Sequence, residues 1–280
     1  MKSLSFLNKP VLLIPTAILG LLFGIASGAG VFMTPVTYPQ ATSYYLAQIV
    51  PQDYLNLFFV LPLFVISTFL MIKGSRAAFL FWLGTLLFIS YIAFTYCFTI
   101  HANHLFLIYI AMLGLSLHLI IGVLIRLVSE DMPWFDRVKT KQMILFLFIT
   151  GGFFTAYWLV TAVPVSITGT LNESEIRCGF TTSPFHVFDL AIYFPIFIIS
   201  ACLLIKKNRH GYVLSAAMTV YTWIMATSLF IEMIFIYLWG EGLEIDLLVM
   251  FGILSVVSAI IGLLYFKGIR VSQKKDSAVA

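Results

Sequence analysis

Five polar side chains that could bind an ion or a proton lie within or beside long apolar runs of this sequence. Asp53 and Asn56 form one pair and His186 and Asp189 another, each spaced so that both side chains share one face of a helix. Glu232 lies inside a further apolar run. Ionisable groups are costly within a membrane span, so they are candidates for function. These residues predict a binding site for a cation, a proton or a small solute.

A second set of residue types could hold a metal ion. His101 and His104 could join His186 and Asp189, and imidazole with carboxylate is a suitable ligand set for zinc or iron. A haem at the same edge would use His101 or His104 together with His186. The competing interpretation is that these histidines are interfacial or capping residues. We therefore predict no resident cofactor and keep metal or haem as an alternative.

The composition excludes a water-soluble globule. The 280-residue chain is 61% hydrophobic and 10% charged, with a mean hydropathy of +1.04. Soluble domains are about 50% apolar and about 25% charged. The formal net charge of +4 comes from basic residues that lie between apolar runs rather than on one polar face, so nucleic acid is not a predicted partner. The predicted partner is the lipid bilayer, and no oligomeric state is predicted.

Eight apolar runs are each long enough to cross a bilayer as a helix, which takes about 20 residues. The runs are continuous rather than alternating, so they predict helices and not the strands of a barrel. The predicted fold is all-α, with eight transmembrane helices in a single integral membrane domain covering residues 1–280. The runs lie at about 10–32, 53–73, 77–99, 104–126, 142–163, 187–205, 212–238 and 246–266.

The basic residues predict the orientation of these spans. In an eight-span chain, 15 of the 16 Lys and Arg residues fall on one side of the membrane and only Arg177 falls on the other. Because loops rich in Lys and Arg stay in the cytoplasm, both termini are predicted to be cytoplasmic and the protein to lie in the cytoplasmic (inner) membrane. The first run follows Lys2 and Lys9 as a signal peptide would. Its 23 residues and the lack of a clear cleavage site favour an uncleaved span.

Two segments of the chain resemble each other. Residues 51–76 align without a gap with residues 184–209, and ten of the 26 positions are identical. A proline opens both segments, a second proline lies mid-span in both, and basic residues end both. This pattern predicts two parallel four-helix repeats, at about 10–127 and 142–267, related by an axis along the membrane normal. The alternative is chance similarity between two apolar helices.

The alignment makes Asp53 equivalent to His186 and Asn56 equivalent to Asp189. If spans two and six approach the axis between the repeats, these four groups converge near the outer membrane boundary. A mid-span proline in each helix would kink it and free backbone carbonyls one to two turns below. The expected result is a symmetric vestibule for a cation or a proton.

Parts of spans two and six also carry a resemblance. The segment 56–62 (Asn-Leu-Phe-Phe-Val-Leu-Pro) with its basic exit 73–76, and the segment 186–189 (His-Val-Phe-Asp) with Pro195 and the exit after it, form the pattern in question. This pattern resembles a family of uncharacterised multi-pass prokaryotic integral membrane proteins. The resemblance covers spans two to four and six to seven. It implies a membrane fold and location and no activity.

The leading functional prediction is a small-solute or ion transporter or channel-like protein. Its site would lie around Asp189 and Glu232 on the outer side, with His186 as a proton-linked member. One alternative is a membrane-bound metal or haem redox protein, and another is a non-catalytic accessory or assembly subunit. Nucleotide-binding, hydrolase and metalloprotease motifs are missing from the sequence, so an enzyme is not favoured. Whether Cys97 and Cys178 are bridged stays open, because sequence gives no distance.

Overall fold

The structure is a computed structural model that describes residues 10–127, 135, 138–242 and 244–269. Within these residues, eight helices are long and apolar enough to span a membrane, which confirms the prediction of a multi-pass helical membrane protein. The same residues contain no β-strand. The helices are labelled in chain order α1 (Pro10–Phe32), α2 (Ser43–Ile72), α3 (Arg76–Thr99), α4 (Phe106–Leu127), α5 (Thr140–Thr168), α6 (Pro184–Ile205), α7 (Arg209–Leu238) and α8 (Ile245–Phe266). Six predicted cytoplasmic charges lie outside the described residues: Lys2, Lys9, Arg137, Arg270, Lys274 and Lys275.

Two helices are longer than the apolar runs that predict them. Helix α2 begins at Ser43 rather than near residue 53, because the Thr42 side chain caps it by accepting a hydrogen bond from the Tyr45 N–H at 3.1 Å. Pro51 therefore lies inside the helix instead of opening it. Helix α5 continues to Thr168 and ends at Gly169, whose φ of 68° suits a residue without a side chain. Capping residues, rather than the limits of hydrophobicity, set these two ends.

The helices form two rings of four. Among the described residues, α1 and α3 each pack against both α2 and α4. The same pairings recur in the second half of the chain, where α5 and α7 each pack against both α6 and α8. The two rings meet chiefly where α3 packs against α7, and α3 is the most buried of the eight helices.

The centre of the molecule differs from the sequence expectation. Helices α3 and α7 lie at the middle, whereas α2 and α6 have no extensive contact with each other. Gly84 explains how the central pair comes so close, since a Cβ atom there would lie 2.5 Å from the Val220 Cβ and 2.6 Å from the Ala217 carbonyl oxygen. The polar groups of spans two and six therefore do not converge at a shared axis.

A π-helical turn interrupts both α2 and α6 at equivalent places. The turns cover Asn56–Val60 and Asp189–Tyr193, and each is followed two residues later by a proline, Pro62 or Pro195. Proline cannot donate a main-chain hydrogen bond, so a wider turn just before it is one way for a helix to absorb the missing bond. The first residue of each turn is one of the polar residues singled out from the sequence, Asn56 in α2 and Asp189 in α6.

The two ends of the bundle carry opposite charge. We call one end the basic end because the described residues there include Lys73, Arg76, Arg126, Lys139, Lys141, Lys206, Lys207, Arg209 and Lys267. The opposite, acidic end carries Glu173, Glu175, Glu241, Glu244 and Asp246, together with Arg177. Arg177 forms an ion pair with Glu241 at 2.7 Å.

Candidate functional site

The first polar cluster surrounds Asp53 in α2. The Tyr38 hydroxyl donates to Asp53 Oδ2 at 2.5 Å, and the Tyr96 hydroxyl donates to Oδ1. Asn56 Nδ2 donates to the Tyr96 oxygen at 3.0 Å and accepts from Gln52 Nε2 at 2.8 Å. The carboxylate is therefore held by two phenols, one of which is itself held by an amide. We call these five residues the Asp53 cluster.

The Asp53 cluster is closed on every side. Asp53 and Asn56 are completely buried, and helix α1 covers the carboxylate with Gly30, where a Cβ atom would lie only 1.7 Å from Asp53 Oδ2. Burial raises the pKa of Tyr38 well above its ordinary value and the charge of Asp53 raises it further, so this phenol stays protonated and donates. No route for water or a solute reaches the carboxylate.

The second cluster surrounds Asp189 in α6. Trp158 Nε1 donates to Asp189 Oδ2 at 2.7 Å, and the Tyr91 hydroxyl donates to the same oxygen at 3.4 Å. The Trp158 ring also packs on His186, with 4.3 Å between ring centroids. Within the described residues the ion pairs are Arg177–Glu241 and His186–Glu175, so no cationic side chain pairs with Asp189.

His186 links Asp189 to the loop before α6. Its Nε2 lies 2.6 Å from Thr161 Oγ1, and its Nδ1 is hydrogen-bonded to Ser183 and lies 3.0 Å from Glu175 Oε1. Glu175 is buried and belongs to the short helix Glu173–Cys178, where it forms a capping box with Asn172. We call Asp189, Trp158, Tyr91, His186, Thr161, Ser183 and Glu175 the Asp189 cluster.

A cavity of about 470 Å³ lies against the Asp189 cluster. It sits at the acidic end, between the last turns of α5 and the first turns of α6, and His186 and Ser183 form part of its wall. The Asp53 cluster has no comparable neighbour among the described cavities. The lining residues are Ala162, Val165, Ser166, Leu171, Thr182, Ser183, His186, Val187, Leu190 and Ala191.

Glu232 lies in α7, apart from both clusters. Its side chain is half-buried, and the described residues offer it no hydrogen-bond or ion-pair partner. It lies close enough to interact electrostatically with Tyr91 and with Tyr45. Burial raises the pKa of the nearby Cys178 thiol to about 12, and the Glu232 carboxylate adds to that rise. Glu232 is thus in electrostatic range of the Asp189 cluster through Tyr91.

The predicted metal ligands do not come together. His101 and His104 are exposed in the turn between α3 and α4, whereas His186 and Asp189 lie in the buried cluster described above. In the described part of the chain, no group of three His, Cys, Asp or Glu side chains is arranged to hold a metal ion. The three cysteines, Cys97, Cys178 and Cys202, are free.

Several members of the two clusters could not be singled out from the sequence. Tyr38, Tyr96, Tyr91 and Trp158 supply the donors to the two aspartates, yet aromatic residues in apolar runs look like packing or interface residues. Glu175 did leave a signal, because an asparagine three residues before a glutamate is typical of a capped helix start.

Comparisons with known proteins give no identity to this arrangement. No protein-family model, curated protein or solved structure matches the chain. The candidate site is therefore defined by its own geometry.

Proposed function

We propose that this protein transports a small solute or ion across the membrane and that Asp189 binds a proton or cation during transport. One observation carries the proposal: Asp189 is buried within a membrane span and is held by neutral donors, Trp158 and Tyr91, with no cationic partner among the described residues. A Lys or Arg partner would lock the carboxylate in its charged form, whereas neutral donors leave its charge free to change. Intramembrane carboxylates in such surroundings are typical of proton and ion pathways.

A polar route supports the same proposal. It runs from Glu175 at the acidic end through His186, across the Trp158 ring, to Asp189 and then to Tyr91. Imidazole exchanges protons near neutral pH more readily than any other side chain, so His186 is suited to relay a proton along this route. Glu232 lies beyond Tyr91 and would extend the route toward the centre of the bundle.

The test is proton flux in reconstituted vesicles. The purified protein is placed in liposomes that contain a pH-sensitive dye, and a potassium diffusion potential drives protons across the membrane. We expect flux above that of empty liposomes and a loss of about tenfold or more in Asp189→Asn, which corresponds to at least about 1.4 kcal/mol. The matched control is Asp53→Asn, which changes an equally buried carboxylate that has no route to solvent. Flux that is absent in the wild type, or unchanged in Asp189→Asn, contradicts the proposal.

Orientation and ancestry are part of the proposal. We place the basic end in the cytoplasm, with both termini on that side of the cytoplasmic membrane. What supports a duplication is the recurrence of equivalent features at a fixed offset of 133 residues, including the π-helical turns that begin at Asn56 and Asp189. Another is glycine packing: Gly20 lies against Phe64, and Gly151 lies against Phe197, the residue aligned with Phe64. A reporter fused after Ala280 that is active only outside the cell would contradict the orientation.

One observation favours a second candidate function, a non-catalytic accessory or assembly subunit. The Asp53 cluster shows that this chain uses a buried carboxylate simply to join α1, α2 and α3. If the Asp189 cluster does the same for α3, α5 and α6, neither aspartate matters for flux. Wild-type liposomes without flux, together with equal destabilisation of Asp53→Asn and Asp189→Asn, would favour this function.

A further inference from the structure

The cavity beside His186 has two kinds of wall. Its apolar wall is formed by side chains from α5, the following loop and α6, namely Ala162, Val165, Leu171, Val187, Leu190 and Ala191. Its polar wall is formed by Ser166, Thr182, Ser183 and His186. Ligand sites in proteins typically combine a largely apolar lining with a few polar groups and occupy about 300–1,000 Å³. At about 470 Å³, this cavity has the size and the mixed lining of such a site.

The cavity is placed to receive a ligand from the membrane. It lies where α5 and α6 reach the acidic end, and Val187 on its wall is 57% exposed on the surface of the bundle. In a bilayer this level is the boundary between the headgroups and the acyl chains. A molecule with an apolar body and a polar head occupies that boundary.

The electrostatics of this end favour a positive head. The loops and helix ends there carry five acidic residues against one basic residue, Arg177, and that one is already paired with Glu241. Glu175 lies directly behind His186 on the cavity wall. An anionic head would meet a field of its own sign, whereas a cationic head is attracted.

The backbone adds an acceptor at the same wall. Pro195 has no N–H, so it cannot donate the hydrogen bond that a regular helix would direct to the carbonyl of Ala191. Ala191 lines the cavity, in the π-helical turn that precedes this proline. A carbonyl that lacks its helical donor is suited to a cation or an N–H group.

From these observations we propose that the cavity binds a hydrophobic cation, a molecule with an apolar body and a positive centre, taken up from the lipid at the acidic end. This inference deepens the proposed function by naming the class of solute carried by the Asp189 site. It rests on that function only for the step of transport, because binding in the cavity does not require it. Asp189 and His186 would then release or take up protons as the cation arrives.

The experiment uses two probes of nearly equal size and opposite charge, tetraphenylphosphonium and tetraphenylborate. Binding of each is measured at equilibrium on the full-length protein in lipid nanodiscs, with empty nanodiscs subtracted to remove partitioning into lipid. We expect saturable binding of tetraphenylphosphonium near one per chain, at least about tenfold tighter than any specific binding of tetraphenylborate. No saturable tetraphenylphosphonium binding, or equal binding of the two probes, overturns the inference.

A pair of neighbouring variants locates the binding. Ala162→Phe fills the cavity from its α5 wall, whereas Val163→Phe adds the same ring one residue away on a side chain that does not line the cavity. We expect Ala162→Phe to weaken tetraphenylphosphonium binding about tenfold or more and Val163→Phe to change it by less than about twofold. Both variants are first checked for an unchanged melting temperature. Wild-type affinity in a folded Ala162→Phe protein overturns the assignment of the cavity.

The outcome separates this inference from the proposed function. Binding that is selective for the cation in a protein without proton flux keeps the cavity assignment and removes transport. Proton flux that depends on Asp189, without cation binding, keeps transport and removes the cavity assignment. Binding is measured without a gradient, so a failure of flux cannot produce a false loss of binding.

Discussion

The Asp53 cluster and the Asp189 cluster place an aspartate in the same kind of helix with the same kind of partner, and differ in what lies next to it. Both aspartates accept hydrogen bonds from aromatic side chains, and both lie at or near a π-helical turn. Asp53 is sealed by Gly30 of α1, whereas Asp189 connects to a histidine and a cavity. Burial of a carboxylate in a membrane helix is therefore a weak sign of function until its access is known.

The largest effect is expected from opening the seal over Asp53. Gly30→Val places side-chain atoms where Asp53 Oδ2 and the Tyr38 hydroxyl now lie, so we expect a loss of about 3 kcal/mol in the free energy of unfolding. The measurement is reversible unfolding in mixed micelles of sodium dodecyl sulfate and dodecyl maltoside. Gly28→Val is the control on the same helix, because a Cβ atom at Gly28 meets nothing within 4 Å. Equal destabilisation by the two variants would show that α1 does not seal this cluster.

Next in size is the effect of neutralising Asp53 itself. In Asp53→Asn an amide N–H replaces one of the oxygens that accept from Tyr38 and Tyr96, so we expect a loss of about 2 kcal/mol in stability. We expect proton flux in reconstituted vesicles to stay within about twofold of the wild type once the folded fraction is matched. A loss of flux as large as that of Asp189→Asn would end the distinction between a structural and a functional aspartate.

A smaller effect is expected at the ring that joins Asp189 to His186. Trp158→Phe keeps an aromatic ring against His186 but removes the N–H that donates to Asp189 at 2.7 Å. Because one hydrogen bond to a charged group is worth about 1.5–3 kcal/mol, we expect flux to fall about tenfold. In the Asp53 cluster, Tyr96→Phe removes a comparable donor and should lower stability without lowering flux per folded protein.

The smallest effect is expected from the ion pair at the acidic end. Arg177 and Glu241 are both partly exposed, with side-chain exposures of 40% and 21%. Surface pairs of this kind contribute about 0–1 kcal/mol, so Arg177→Gln should change stability by less than about 0.5 kcal/mol. The same unfolding assay measures it. A loss of more than about 2 kcal/mol would mean that the stacking of Arg177 on Tyr44, at 3.8 Å, holds the short helix of the Asp189 cluster in place.

The membrane helices could be predicted because hydrophobic length is a local property. Each of the eight runs is a helix, and the errors lie at the ends, as at Ser43, where a capping threonine starts α2 well before the apolar run. The central position of α3 and α7 could not be predicted. It depends on a single close approach at Gly84, and a glycine in an apolar run looks like any other small residue.

The site could be predicted only as far as one helix reaches. The spacing of His186 and Asp189 places them on one face of α6, and both do belong to one cluster. The expected meeting of Asp53 with Asp189 did not follow, because helix spacing says nothing about which neighbouring helix comes close. The donors Trp158 and Tyr91 come from α5 and α3, which are distant in sequence.

The central contact between α3 and α7 also has a consequence for biosynthesis. Helix α3 starts at Arg76 and its partner α7 starts at Arg209, 133 residues later. At about 5–20 residues per second, the ribosome needs roughly 7 to 27 s to make that stretch. During this interval the nascent first half sits in the lipid with the buried face of α3 uncovered. Insertion factors or quality-control proteases that recognise unassembled helices would find their target in this window, well before the chain is complete.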